Sequence, residues 1–261
     1  MAPLHPFRTA AWWRMSEPLK LLVTGCRGRM GEAVARCAGV DAEVTVSGKI
    51  DAGDDLQAAL AGCDAVVDFS HHTFTRELVT SCRDLGKLLV IGTTGLDAAT
   101  ESFIQDTSAI LPVVFAPNYS VGVNTLFWLT RKATEILGAD FDLEVVEMHH
   151  NKKIDSPSGT ARRLAGILCE VENLSYAEDV RHGRFGNVGA RTKREVGMHA
   201  VRGGDVVGDH TVIYAAQGER VELTHKASSR DTFANGAIRA AKWLRSQPAG
   251  LYDMQDVLGL R

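Results

Sequence analysis

From Leu19 onward, short runs rich in β-branched and aliphatic residues alternate with stretches of helical length. That alternation is the pattern of βαβ units, whose helices cover both faces of a parallel sheet. Strands are predicted at 20–24, 43–47, 65–69, 88–91 and 113–116, and helices near 30–38, 73–85 and 98–109. Residues 53–62, bounded by Gly53 and Gly62, read as a tight connection after the second strand. The first half therefore predicts a Rossmann-like, doubly wound α/β domain over 19–118.

After Asn118 the texture changes. A long helix at 123–137 leads into an extended run at 141–148, a Gly/Ser/Pro loop, a helix at 160–169 and a polar stretch to Arg194. The runs 198–202, 210–215 and 220–226 are short, alternating and separated by glycine-containing turns, which predicts an antiparallel sheet. This gives a second, mixed or antiparallel domain over 119–230. Residues 232–244 predict an amphipathic helix, with Phe233, Ile238 and Leu244 inside and Arg239, Lys242 and Arg245 outside. It is placed to return to the first domain, so 231–261 would complete it.

Composition narrows the function classes. The 261 residues are 45% apolar and 23% charged, the balance of an ordinary globular protein. The 29 Lys and Arg nearly cancel the 32 Asp and Glu, leaving a net charge of -3, so no footprint for nucleic acid is present. Apolar runs are strand-sized, which argues against a membrane span. Five scattered cysteines without a CxxC pair point to a reducing, cytoplasmic setting. Four of them sit among apolar or small residues and read as inert, and Cys26 lies in a glycine loop. Residues 1–18 lack periodicity and read as an extension, with Met15 an alternative start of translation.

Candidate chemistry falls in two places. Directly after the first strand comes Gly25-Cys26-Arg27-Gly28-Arg29-Met30-Gly31, opening into a helix. Glycines there allow a tight turn and close backbone approach, and free N–H groups at a helix start suit a pyrophosphate. The spacing is GxxGxxG, with Arg27 where the usual fingerprint has its middle glycine, and the same pattern serves a plain strand-to-helix turn. Asp51, twenty residues after Gly31, is positioned to accept from an adenosine ribose, or is a solvated turn residue beside Asp54 and Asp55. Arg27, Arg29 and Lys49 would instead suit a 2′-phosphate, so both NADH and NADPH are expected. Gly92-Thr93-Thr94-Gly95 and Ala116-Pro117-Asn118-Tyr119 lie at the ends of later parallel strands, where open α/β sheets bind ligands.

The second place is Glu147-Met148-His149-His150-Asn151-Lys152-Lys153-Ile154-Asp155-Ser156-Pro157-Ser158-Gly159-Thr160. Adjacent histidines on an extended chain point to opposite sides, and no third ligand has zinc-like spacing, so no metal is expected. Separate roles suit them better: one as a proton donor and one as an anion contact, with Lys153 a second cation or acid. Ser158-Gly159-Thr160 at a helix start offers N–H groups and a hydroxyl to a carboxylate, and also reads as a helix cap.

These motifs, together with Val67-Asp68-Phe69-Ser70, Asn118-Tyr119-Ser120-Val121-Gly122-Val123-Asn124, Val201-Arg202-Gly203-Gly204-Asp205, Gly208-Asp209-His210 and His225-Lys226-Ala227-Ser228-Ser229-Arg230, run in one order from about Lys20 to near the C-terminus. In that order and spacing the chain resembles the dihydrodipicolinate reductase family of lysine biosynthesis. The resemblance implies NAD(P)H-dependent reduction of a cyclic dicarboxylate and a homotetramer built through the central domain. By motif, it implies His149 as proton donor and Lys153 as a second donor. His150, Gly159 and Thr160 would hold substrate carboxylates. The cofactor positions would be Gly25, Cys26, Arg27, Gly28, Arg29, Met30, Asp51, Gly92, Thr93, Thr94, Ala116, Pro117, Asn118 and Tyr119. Pro117 removes one N–H donor from its loop. Two rival readings share the fold: a dehydrogenase acting on another imine, such as aspartate dehydrogenase, and a dinucleotide-binding regulator without turnover.

Overall fold

The computed structural model describes residues 17–260, so the leading segment and Met15 lie outside the described residues. The chain divides into two units. The first runs to Ser120 and resumes at Asp231–Gly259, and the second spans Val121–Arg230.

In the first unit, β1 (Leu19–Thr24), β2 (Val44–Ile50), β3 (Ala65–Asp68), β4 (Leu88–Ile91), β5 (Pro112–Phe115) and β11 (Gly250–Tyr252) form one parallel sheet ordered β11-β5-β4-β3-β1-β2. Successive β1 residues serve opposite faces. Leu21 and Val23 pack in a core with α1 (Arg29–Ala38) and α8 (Asp231–Leu244), whereas Leu22 packs with residues of α2 (Leu56–Ala61), α3 (His72–Leu85) and α4 (Ala98–Ser108). Strand order reverses between β1 and β3, so the crevice at their carboxyl ends is where such a sheet takes a ligand. Thr24 and Asp68 are paired there.

In the second unit, β6 (Asp142–His149) is the central strand of a five-stranded sheet ordered β10-β9-β6-β8-β7. β9 (Gly208–Ala216) and β10 (Glu219–Ala227) run antiparallel, but β8 (Val196–Arg202) is parallel to both β6 and β7 (Val180–His182). Of the mixed and antiparallel alternatives expected from sequence the sheet is the mixed one, and the run at 198–202 joins it parallel to β6, because alternation fixes which face a residue occupies and not which way the strand runs. α5 (Val121–Leu137) and α6 (Gly159–Glu172) cover one face, where Leu126, Leu164 and Leu168 meet Leu143, Val145, Val212 and Tyr214. On β6, Leu143, Val145, Glu147 and His149 are buried, and Asp142, Glu144, Val146 and Met148 are half-buried.

One more expectation is corrected, at 53–62, and two further stretches hold elements not predicted from the sequence. The connection at 53–62 contains α2, capped by Asp55, whose side chain accepts from Ala58 N at 3.0 Å. The polar stretch before Arg194 holds α7 (Tyr176–Asp179) and β7. Beyond α8, β11 and α9 (Met254–Leu258) extend the first unit. No helix among the described residues is long and apolar enough to cross a membrane.

Candidate active site

The glycine loop lies between β1 and α1. Gly25 has φ +68°, and a Cβ there would stand 2.7 Å from the carbonyl carbon of Phe69. A Cβ on Gly31 would be 2.7 Å from the carbonyl carbon of Gly25, so loop and helix touch backbone to backbone. Gly28 caps α1 without any side-chain hydrogen bond, leaving the N–H groups of the first turn available to an anion. A cavity of about 690 Å³ opens beside it, lined by Gly25, Gly28, Asp51, Ser70, Phe74 and Glu77 among others. Bare glycine backbone, an uncapped helix start and a cavity of that size fit a dinucleotide.

Asp51 lines this cavity with both oxygens already engaged: Oδ2 accepts from Arg27 N at 2.8 Å and Oδ1 from Ala52 N at 2.9 Å. Those N–H donors hold its carboxyl below the usual range. Arg27 leans toward Asp54, at 3.7 Å, and is largely exposed. Cys26, Arg29 and Met30 belong to the same loop and helix start, outside the cavity lining, with Cys26 N donating to Ile50 O at 3.2 Å.

The expected positions after β4 and β5 stand at the same carboxyl edge without lining that cavity. Thr93 is buried and donates its hydroxyl to Asp68 Oδ2 at 2.7 Å. Tyr119 is also buried, its hydroxyl donating to Ile91 O at 2.8 Å and Val114 O at 3.1 Å. Its side chain therefore serves the core, and only its backbone is left for a ligand. Asn118 Oδ1 accepts from Ser120 N at 2.9 Å. Gly92, Thr94, Ala116 and Pro117 complete the two loops. Sequence reasoning gave Asp68 no role. It is wholly buried, and besides Thr93 its carboxylate accepts from Thr24 Oγ1 at 2.5 Å, Ser70 Oγ at 2.5 Å and Ser70 N at 3.1 Å.

In the second unit, strand alternation turns His149 into the covered side of β6 along with Glu147. His149 Nδ1 and Glu147 Oε2 are 2.6 Å apart. Glu147 also accepts from Ser158 N at 3.1 Å and from both terminal nitrogens of Arg202 at 2.8 Å. Burial alone would raise its carboxyl, but the hydrogen bonds from Arg202, His149 and Ser158 outweigh that and hold it lowered.

Ser158 caps α6, its hydroxyl accepting from Ala161 N at 3.2 Å and lying 3.0 Å from His210 Nε2. Gly159 opens the helix, and a Cβ there would meet nothing within 4 Å. Lys153 Nζ donates to Asp155 Oδ1 at 2.8 Å. His150, at the end of β6, donates its N–H to Val206 O at 2.7 Å, and Thr160 follows Gly159 in the first turn of α6. The structure thus gathers His149, Ser158 and the start of α6 around Glu147, and adds Arg202 and His210, which sequence reasoning left without a role. Glu147 itself was legible, since residues i and i+2 of a strand share a face.

A parallel sheet with a glycine loop at its reversal point, and a separate unit that sets a buried histidine and carboxylate beside a helix start, fit the class of two-domain oxidoreductases that bind a nicotinamide dinucleotide. Comparison with known proteins narrows the class. The family described as "Dihydrodipicolinate reductase, N-terminus" matches residues 19–119, and "Dihydrodipicolinate reductase, C-terminus" matches residues 122–258. The chain belongs to the dihydrodipicolinate reductase family.

A 4-hydroxy-tetrahydrodipicolinate reductase of Akkermansia muciniphila is 56% identical over 242 residues, covering 93% of this chain and 98% of that protein. One of Anaeromyxobacter dehalogenans is 43% identical, again over 93% of this chain and 98% of its own length. Among solved structures, a dipicolinate-bound dihydrodipicolinate reductase from Paenisporosarcina sp. TG-14 shares the fold with a TM-score of 0.76 at 20% identity, covering 92% of this chain and 99% of that one.

Proposed function

We propose that the protein reduces 4-hydroxy-tetrahydrodipicolinate to tetrahydrodipicolinate with loss of water, using NADH or NADPH, in the diaminopimelate route to lysine. The observation that carries this is the gathering of His149, Ser158 and the open start of α6 around one buried carboxylate, Glu147, in a chain 56% identical to a reductase of that name.

Loss of the 4-hydroxyl as water leaves a conjugated cyclic imine. When bound, the reduced nicotinamide supplies the hydride received at C4. Electron density then collects at C3, the carbon between C4 and the imine carbon, and takes a proton from His149 or Lys153. His149 has Nδ1 turned to Glu147, so Nε2 is the atom left to give that proton. A histidine suits the task because its ordinary titration lies near neutrality. His150, the N–H of Gly159 and the hydroxyl of Thr160 hold the substrate carboxylates, aided by the positive end of α6. Gly25–Gly31 and Asp51 hold pyrophosphate and ribose, while the loops Gly92–Thr94 and Ala116–Tyr119 receive the nicotinamide. The enzyme works as a cytoplasmic homotetramer joined through the second unit's sheet, whose Val146 and Met148 stay partly exposed on the face away from α5 and α6.

The test follows loss of reduced-nicotinamide absorbance with NADH and with NADPH, generating substrate in place from pyruvate and aspartate semialdehyde with the preceding synthase. Substrate-dependent oxidation is expected. His149→Gln and Lys153→Ala should each lower kcat by about 10²- to 10⁴-fold while leaving dinucleotide Kd within about twofold. Absence of turnover despite demonstrated dinucleotide binding would shift the reading to another imine or to a regulator.

A further inference from the structure

Glu147 is a buried carboxylate with four donors on two oxygens. Oε2 faces His149 Nδ1 at 2.6 Å and one Arg202 nitrogen at 2.8 Å, and Oε1 faces Ser158 N at 3.1 Å and the other Arg202 nitrogen at 2.8 Å. Arg202 reaches further, donating to Asp155 O at 2.8 Å, and Asp155 in turn accepts from Lys153 Nζ at 2.8 Å. One carboxylate and one guanidinium therefore tie together the proposed donor histidine, the start of α6 and the loop that carries Lys153.

Charged and titratable groups gather around the His149–Glu147 pair from several elements. The pair lies on β6, and Arg202 comes from β8. His210 comes from β9, with His225 of β10 near it, while Lys153 and Asp155 lie in the following loop. The His210 ring stands edge-on to His149 at 5.1 Å between centroids, and its Nε2 is engaged by the Ser158 hydroxyl. Burial, reinforced by His149, pushes the titration of His210 down to about 3, so it stays neutral and does not compete for the proton. Gly208 lacks a side chain where His149 Nε2 lies: a Cβ there would be 2.9 Å from that nitrogen.

We infer that Glu147 and Arg202 form a paired positioning device for the proposed reduction: Glu147 keeps a proton on His149 Nδ1, so Nε2 carries the transferable one, and Arg202 neutralises Glu147 and holds the Lys153 loop to it. This rests on His149 being the proton donor. The carboxylate is needed because an imidazole free to turn or change tautomer presents the wrong atom. The guanidinium is needed because a carboxylate taken out of water without a cation is costly, and a bidentate fork also fixes its orientation.

The test uses the full chain with ¹⁵N-labelled histidine. In the wild type, the neutral His149 ring should show its proton on Nδ1, and a proton on Nε2 would overturn the inference without any variant. Glu147→Gln should lower kcat by about 10²- to 10⁴-fold with little change in KM for the dinucleotide. It should also cost the neutral ring its single tautomer, so that a proton on Nε2 appears in the ¹⁵N spectra.

Glu147→Gln leaves Arg202 without its charged partner, so the double variant Glu147→Gln/Arg202→Met provides a second route, with the same loss of the Nδ1 tautomer expected. A folded variant of either kind that keeps wild-type kcat and the Nδ1 tautomer would overturn the positioning role. If instead His149→Gln keeps turnover, the donor assignment fails, and the ring spectra still decide whether Glu147 sets the tautomer.

Discussion

Gly159→Ala separates what the fold needs from what a ligand needs. Gly159 is the first residue of α6, lies outside the left-handed region, and has open space where a Cβ would go. Nothing in the fold therefore resists alanine. Restricting the unfolded chain should stabilise the protein by about 0.4–1 kcal/mol, worth a rise of roughly 1–4 °C in Tm at about 2–4 °C per kcal/mol for chains somewhat shorter than this one. If the Gly159 N–H receives a substrate carboxylate, however, the new methyl group stands where the carboxylate must approach. Losing one hydrogen bond to a charged group costs about 1.5–3 kcal/mol, a factor of roughly 10 to 150 in KM for the dicarboxylate. Scanning calorimetry and the coupled oxidation assay on the same preparation read both quantities. A raised Tm with unchanged KM would refute the carboxylate role and leave Gly159 an ordinary first-turn residue.

Two other predictions address each unit in turn. Gly31→Ala forces a methyl group against the backbone of Gly25 and Cys26, so it should cost about 1–3 kcal/mol in denaturant unfolding and weaken dinucleotide binding; native stability with native Kd would show that the loop can yield. Burial would raise Glu144, but its hydrogen bonds from Arg184, His199 and Arg191 bring it down to about 2. A lowered carboxyl contributes stability that is complete above its ordinary value and is lost as pH falls toward 2, so circular dichroism should show the wild type losing stability across that window. Glu144→Gln should flatten that dependence, and an unchanged acid profile would refute it.

Much of this was legible in the chain. Strands β1 to β5 announce themselves because each is apolar or alternating over four or more residues, and the stretch from Glu147 to Thr160 concentrates histidine, lysine and helix-start residues in one short run. What escaped lies where local signal is thin. α2 is six residues between two glycine-marked turns, and β11 is three residues that become a strand only by pairing with β5. Direction escaped too, since β8 alternates equally well parallel or antiparallel to β6. In the site, Arg202 is 55 positions from Glu147, and only the β6–β8 register, with His149 opposite Arg202, brings them together. Asp68 was hidden for the same reason: its donors come from β1, the turn after β3 and the loop after β4.

The first unit is interrupted in sequence, since α8, β11 and α9 come after the whole of Val121–Arg230. On the ribosome, at about 5–20 residues per second, those 110 intervening residues take roughly 5 to 20 s to emerge. During that interval the sheet face that α8 will cover has no helix from that segment, and β5 lacks its outer neighbour. The second unit, continuous in sequence, has all its strands before the first receives its last. Order of synthesis and order of completion are therefore opposite: the unit begun second has its last strand synthesised before the unit begun first receives α8 and β11.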